Sequence, residues 1–143
     1  MSETSAKLGV ELITREASTP EEVREAFKSI PKEADAIFLL PDSVVNFNVE
    51  DIYKMAAELK LPTSGPNVKT VNDGALTAYG VDLTVAARKQ AARLASQILQ
   101  GARPADLPVE TAQFFSAINL KIAQAIGLDI PDAILSQANI IIR

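Results

Sequence analysis

The sequence predicts an α/β domain in which a mainly parallel sheet is flanked by helices in three layers. Three observations predict this fold class. Apolar segments rich in β-branched residues alternate with segments whose apolar residues recur every three or four positions. One apolar segment, "ADAIFLL" at 34–40, is nearly continuous, as in a parallel strand covered on both faces. The connections between the segments are short, which favours right-handed crossovers.

The first three elements read as strand, helix and strand. Residues 10–14, "VELIT", form a short β-rich segment. Thr19 is placed to cap the helix that follows, Pro20 suits its first position, and Glu22 completes a capping box. The strand at 34–40 comes next. The helix carries one apolar stripe, made of Val23, Ala26, Phe27 and Ile30.

The same alternation continues. Asn48 is placed to cap a helix that begins at Val49, and Leu61-Pro62-Thr63 reads as the next short strand. The helix has the same spacing of apolar residues, at Ile52, Met55, Ala56 and Leu59.

The longest predicted helix covers 83–99. Asp82 is placed to cap it, and Gly101 ends it. After it we expect a strand within 107–120, a short helix in "LKIAQAIGL", a helical turn or two in "IPDAILSQA" and a terminal apolar stretch in "NIIIR". The apolar face of the predicted 83–99 helix consists of Leu83, Ala87, Ala91, Leu94, Ala95 and Ile98.

Composition excludes several classes of function. The 143 residues include no Cys and no His, which removes thiol nucleophiles, Ser-His-Asp and Cys-His catalysis, disulfides and the usual zinc sites. A net charge of -4 argues against nucleic-acid binding, because phosphate neutralisation needs clustered Lys and Arg. The start "MSETSAKLGV" does not have the pattern of a signal peptide. A cytoplasmic location is therefore open if Met1 is native.

Ligands of parallel sheets bind outside the carboxyl ends of the strands, which directs attention to two loops. Asp42 and Ser43 directly follow the strand at 34–40, where they could accept from an ammonium group and donate to a carboxylate. Asp73 and Gly74 lie in a turn, and Tyr79 follows it. Each has an ordinary alternative: Pro-Asp-Ser and Asn-Asp-Gly are common turn sequences, and most tyrosines are simply half-buried.

No pattern in the sequence predicts an enzyme. The carboxylates show no spacing typical of metal or acid-base chemistry, and there is no GxGxxG and no P-loop lysine motif. We therefore expect no catalytic residues, no cofactor and no metal site.

Several ordered motifs are similar to those of one family. They are "GAL" at 74–76 with Tyr79-Gly80, "ILQG" at 98–101, "PADLPVE" at 104–110 and "INLKIAQAIGLDIP" at 118–131. Together they resemble the C-terminal half of ABC transporter substrate-binding proteins, in the branch with a type I periplasmic-binding fold that includes tryptophan-binding members. The resemblance covers about half of the chain sharply, and the upstream part fits less closely.

The resemblance implies one flavodoxin-like lobe of a two-lobed protein. By the family's chain path, 7–73 and 115–143 form the C-terminal lobe, and 82–110 would pack on an N-terminal lobe that this chain lacks. "ALTAY" would be a hinge strand. Asp42, Ser43, Asp73, Gly74 and Tyr79 would then face the ligand cleft.

The resemblance also implies a function. We expect a solute-binding component, or half of one, of an ABC-type importer, which binds a small molecule such as an amino acid without catalysis. Its partner would be a transporter permease. The stripe of the 83–99 helix needs a cover, which the chain's own sheet, a second copy or the rest of a longer protein could supply, and we expect a homodimer. Its location would be periplasmic or extracytoplasmic.

Two other functions stay open. A ligand-sensing or regulatory module of the same fold would be accompanied by a DNA-binding or signalling domain upstream. A small self-associating domain that has lost ligand binding would gain no thermal stability from amino acids.

Overall fold

A computed structural model describes residues 2–143, with the side chains of Ser2, Glu3 and Ala87 left outside the description. The chain divides into two compact units, one ending at Lys32 and the other running from Glu33 to Arg143. Met1, on which the question of a native start depends, lies outside the described residues.

The N-terminal unit contains two helices, α1 (Ser2–Leu8) and α2 (Pro20–Lys28). Helix α1 was not predicted. In α2, the Thr19 hydroxyl accepts from the Glu22 amide at 3.2 Å, as expected of the cap. The Glu22 carboxylate accepts from the Ser18 amide instead of the Thr19 amide, so the capping box is displaced by one residue. All four residues of the predicted apolar stripe are buried or half-buried, which confirms the helix and its face.

The predicted strand at 10–14 is wrong. Within the described residues these positions belong to no strand, and Val10, Leu12 and Ile13 are between two-fifths and one-half exposed. A β-rich segment becomes a strand only where a neighbour satisfies its backbone groups. The Val10 amide instead donates to the Ser5 carbonyl at the end of α1.

The second unit, within 33–143, contains a five-stranded sheet. Its strands lie in the order of the chain, and three of the four pairings are parallel while β3 and β4 are antiparallel. The α/β class with a mainly parallel sheet is therefore confirmed. The strands are β1 (Ile37–Phe38), β2 (Thr63–Gly65), β3 (Thr77–Val81), β4 (Phe114–Asn119) and β5 (Ile140–Ile142).

The helices of this unit alternate with the strands, but the two short helices α3 (Ser43–Phe47) and α5 (Thr70–Asp73) stand where the sequence predicted a loop and a turn. Helices α3 and α4 (Val49–Glu58) follow β1, and α5 follows β2. The helix at 83–99 is continuous and consists of α6 (Leu83–Val85), a π-helical stretch (Ala86–Ala91) and α7 (Ala92–Leu99). A 3-10 turn (Pro104–Asp106) precedes β4, and α8 (Leu120–Ile126) and α9 (Asp132–Leu135) lie between β4 and β5.

Several predicted boundaries need correction. The strand at 34–40 is reduced to Ile37–Phe38, and the strand placed at 61–63 is shifted to Thr63–Gly65. Asn48 stands before α4, but its side chain does not cap it; the amide donates to the Val44 carbonyl at 2.7 Å and so closes α3. Leu59, predicted in the apolar stripe, lies at the end of α4 and is half exposed.

The core of the second unit reaches both faces of the sheet at the end of β4, where the successive residues Ala117, Ile118 and Asn119 are all buried. Leu76, Ala123 and Ile126 form a buried cluster, with Ile122 and Ile130 packed against it. Buried polar groups in this region are bonded: Thr63 Oγ1 accepts from the Leu76 amide, and Asn119 Nδ2 donates to the Val71 carbonyl at 2.7 Å. The positions that precede β3 and follow β4 are thereby held in place.

Candidate functional site

The carboxyl ends of β1 and β2 lie side by side, because the two strands are parallel neighbours. Asp42 and Ser43 follow the end of β1, and both are exposed. The loop at 66–69 follows the end of β2. The sequence pattern directed attention instead to the turn at Asp73 and Gly74, and the strand before the 66–69 loop was placed at 61–63, two residues too early.

Asp42 is the N-cap of α3. Its Oδ1 accepts from the Val44 amide at 2.7 Å and from the Val45 amide at 3.4 Å. The turn-type bonding considered as the ordinary alternative therefore occurs. It uses one carboxylate oxygen, so the side chain can cap a helix and still present a negative charge to a ligand.

Asp73 and Gly74 lie elsewhere. They lead into the amino end of β3, whereas Asp42 and Ser43 follow the carboxyl end of β1. Because β1, β2 and β3 are parallel, these ends are at opposite edges of the sheet. The structure thus does not bring all the predicted residues to one edge.

Asp73 and Gly74 both have structural partners at the amino end of β3. Lys69 Nζ pairs with the Asp73 carboxylate at 2.6 Å. Gly74 ends α5 with a φ of 121°, and a Cβ there would lie 3.1 Å from the Tyr53 Cβ. A left-handed φ and this close approach both favour glycine.

Tyr53, against which Gly74 packs, is a buried polar residue that the sequence analysis assigned to no role. Its hydroxyl has no hydrogen-bond partner within residues 2–143. Burial raises the pKa of the phenol above 10.0; the neighbouring Thr70 hydroxyl lowers it, and the charge of Asp73 raises it. The Thr70 hydroxyl lies close but donates to the Asn67 carbonyl.

Tyr79 lies on β3 and is 71% exposed. It is two residues beyond Thr77, which pairs with Ser64 of β2, and Ser64 in turn pairs with Phe38 of β1. Tyr79 is therefore displaced toward the edge at which β1 ends. Paired residues of neighbouring strands share a face, so Tyr79 is on the same face as Ser64 and Phe38.

Phe114, at the start of β4, contacts Tyr79. The ring centroids are 5.7 Å apart and the planes are tilted by 32°. Tyr79 is directly opposite Ser116, so Phe114 is its diagonal neighbour, a position from which aromatic side chains reach each other. Such pairs contribute about 0.5–1.5 kcal/mol beyond area burial. The sequence signal was the doubled "FF" at 114–115, in which one ring must face away from the other.

Gly80 explains how the loop after β2 approaches β3. A Cβ on Gly80 would lie 2.8 Å from the Pro66 carbonyl oxygen, a distance that side chains do not tolerate. The glycine thus lets the 66–69 loop pack directly on β3, next to the residue Tyr79.

The 83–99 helix begins just after β3. The Oδ1 of Asp82 accepts from the Thr84 and Val85 amides at 2.9 and 3.1 Å, so the predicted cap is confirmed. The helix is tied to the segment that returns to β4, because Arg93 pairs with Glu110 and Gln90 Nε2 donates to the Thr111 carbonyl at 3.0 Å.

The described residues of the predicted apolar face of this helix are exposed or only half-buried. In α6 and α7 no residue is buried; Leu83 is mostly exposed, Ile98 is 42% exposed and Leu94 is half-buried. The side chain of Ala87, predicted on the same face, lies outside the described residues. Leu99 and Val109 add further exposed apolar surface.

The described residues contain neither a metal-binding cluster nor a membrane-spanning helix. No cluster of three or more metal-ligating side chains occurs among them. None of the helices in residues 2–143 is long and apolar enough to cross a membrane.

Comparison with known proteins gives consistent matches. The family model for ABC transporter substrate binding proteins matches residues 1–142. A curated relative, the tyrosine-binding protein of Clostridioides difficile (strain R20291), is 30% identical over 105 residues, which are 73% of this chain and 30% of the relative.

Solved structures match over nearly the whole chain. A conserved domain protein from Vibrio cholerae has a TM-score of 0.77 at 29% identity and is matched over 98% of this chain. An ABC domain from Streptococcus pneumonia, solved in complex with L-Trp, has a TM-score of 0.75 at 27% identity over 96%. In both cases the chain spans 47% of the solved protein, so it has about half the length of these relatives.

Proposed function

Because this chain belongs to the family of ABC transporter substrate-binding proteins, we propose that it is a solute-binding component of an importer, or half of one. Members of this family bind ligands without catalysis, which places the chain among binding proteins rather than enzymes. The observation that carries the proposal is the family match over 1–142. It is joined by a polar and aromatic rim, which we define as Asp42 and Ser43 after β1 and Tyr79 on β3.

The proposed ligand is an amino acid. A relative is named for tyrosine binding, and a solved neighbour holds L-Trp. The rim has the matching chemistry: Asp42 would accept from the ammonium group, Ser43 would hydrogen-bond the ligand, and Tyr79 would stack on an apolar side chain. Asp73 and Gly74 stay predicted site residues, although they lie at the opposite edge of the sheet.

We further propose that 7–73 and 115–143 act as one lobe, with 82–110 packing on a second lobe supplied from outside this chain. The exposed side chains of Leu83, Ile98 and Leu99 support this arrangement. Leaving a large apolar side chain in water instead of burying it costs roughly 1.5–3 kcal/mol of free energy. When no second lobe is present, a second copy of the chain would cover the same face. The importer role implies a permease partner and an extracytoplasmic location.

The binding proposal is tested by calorimetric titration of the full chain with L-tryptophan, L-tyrosine, L-leucine and L-glutamate. Affinity should be weak, because one lobe supplies only half of the contacts of a closed cleft. The informative variant is Asp42→Asn, since asparagine caps helices as well as aspartate but carries no charge. It should leave the melting temperature unchanged and lower amino-acid affinity by about ten-fold, as expected for loss of a charge-assisted hydrogen bond.

Asp82→Asn is the matched control, because Asp82 caps a helix in the same manner and is not assigned to the site. It should retain wild-type affinity. Failure of the wild-type chain to bind any amino acid would contradict the proposal, and equal losses in the two variants would contradict the role of Asp42.

The proposed binding of a second copy of the chain is tested by light scattering and sedimentation, which measure the oligomeric state across a range of protein concentrations. We expect a dimer that forms with rising concentration and is weakened by Leu99→Ala. A clean monomer at all concentrations would rule out self-association.

A further inference from the structure

The pair formed by Tyr79 and Phe114 exposes aromatic surface on the antiparallel neighbours β3 and β4 of the second unit. Phe114 is 55% exposed and Tyr79 is 71% exposed, although each buries part of its ring against the other. Large aromatic side chains that are this exposed near the ends of strands are typical of binding surfaces.

The position of the pair suits one end of an elongated ligand. Phe114 pairs with Val81, so both rings lie toward the edge at which β1 ends and Asp42 caps α3. Strands β1 and β3 are separated by β2 alone, which puts their backbones about 10 Å apart. An amino acid whose ammonium group bonds Asp42 would therefore direct a long planar side chain toward the two rings.

We propose that Phe114 is a specificity-determining residue: with Tyr79 it forms an aromatic platform that selects amino acids with planar aromatic side chains over aliphatic ones. This inference rests on the proposed amino-acid binding and adds to it a residue and a basis for selection. One ring of the tilted pair would contact the ligand, and the other ring would hold the first ring in place.

The test uses the full chain with Phe114→Leu, which keeps an apolar side chain of similar bulk but has no ring. Titrations with L-tryptophan, L-tyrosine and L-leucine measure dissociation constants. The chain contains no tryptophan, so the fluorescence of added L-tryptophan gives a second readout without background from the protein. Affinity for the two aromatic ligands should fall by roughly three- to ten-fold, and affinity for L-leucine by less than about two-fold.

Phe47→Leu is the matched control, because Phe47 is a highly exposed phenylalanine on α3 that contacts neither ring. It should leave all three affinities unchanged. Equal losses for aromatic and aliphatic ligands, or no loss at all, would overturn the inference, because a pair that only stabilises the contact between β3 and β4 does not distinguish between ligands. If the wild-type chain binds all three ligands equally, the platform is refuted while amino-acid binding stands; if it binds none, both proposals fail.

Discussion

Helix α4 and the 83–99 helix carry the same kind of apolar stripe, yet they end in opposite environments. In α4, Ile52, Tyr53 and Ala56 are buried. In α6 and α7 no residue is buried, although α7 is as strongly amphipathic in its sequence. The comparison shows that a stripe specifies which face of a helix should be covered, but whether it is covered depends on what lies within reach.

The largest expected difference between the two helices is the cost of shortening one isoleucine in each. Ile52 is 2% exposed, and Ile52→Ala should lower the free energy of unfolding by about 2–5 kcal/mol. Ile98→Ala should cost less than about 1 kcal/mol in dilute solution, because its site is partly hydrated already. Urea denaturation measures both.

Concentration sharpens this test. If a second copy covers the 83–99 helix, the cost of Ile98→Ala should rise with protein concentration while that of Ile52→Ala stays constant. A cost as large as that of Ile52→Ala in dilute monomer would mean that the face is already covered within the chain.

The second difference concerns the caps of two helices. Asn119 is buried; it caps α8 through Lys121 and Ile122 and donates to the Val71 carbonyl. Asn119→Ala should destabilise the chain by about 2–4 kcal/mol, since it removes a cap and leaves a buried carbonyl unpaired.

Asp82→Ala removes only the exposed cap of the 83–99 helix. It should cost about 1 kcal/mol or less in global unfolding and should appear mainly as faster amide exchange in the first helical turn. Comparable global losses for the two variants would contradict the proposed difference in packing between the regions.

The third difference compares two glycines. A Cβ on Gly65 would lie 1.9 Å from Thr70 Oγ1 and 3.0 Å from the Tyr53 hydroxyl, so Gly65→Ala should cost about 1–3 kcal/mol through overpacking. Gly101, which ends the 83–99 helix, has open space around it and a φ of 100°. Gly101→Ala should cost about 1 kcal/mol from backbone strain alone. Thermal melts of the two variants give the order directly, and the reverse order would be inconsistent with dense packing at β2.

The smallest effect concerns the buried Tyr53 hydroxyl. Because its folded-state pKa is raised above 10.0, its contribution to stability is complete below pH 10 and is lost as pH rises through the raised value. Tyr53→Phe should be neutral to slightly stabilising at pH 7, since it removes an unpaired buried group, and should flatten the alkaline decline. Urea midpoints at pH 7 and above pH 10 measure this, and an unchanged alkaline decline would exclude Tyr53 as its source.

Much of the fold followed from local patterns. The α2 stripe, the Asp82 cap, the 83–99 helix, the strand within 107–120 and the α8 helix all appear where local periodicity and capping residues put them. The errors on strands are that 10–14 lacks a partner and that β1 and β2 are shorter or shifted, and the short helices α1, α3 and α5 were not predicted. A strand depends on backbone bonds to a segment distant in sequence, which local patterns do not encode.

The candidate site was predictable in part. The exposure of Asp42, Ser43 and Tyr79 agrees with a rim, but the position of Asp73 at the other edge followed only from the direction of β3. Phe114 was missed because its contact with Tyr79 joins residues 35 positions apart, a separation given by the register of β3 and β4.

The sequence by itself determined the class of fold, the helix that needs a cover and, through its ordered motifs, the family. These properties depend on local periodicity and residue identity. Only the tertiary structure decided which apolar faces are buried, which carboxylates share an edge and which aromatic rings meet, because each of these requires two distant segments to come together. The exposed face of the 83–99 helix depends on both levels. The sequence determines its apolar pattern, and the tertiary structure decides that the described residues of the second unit leave it without a cover.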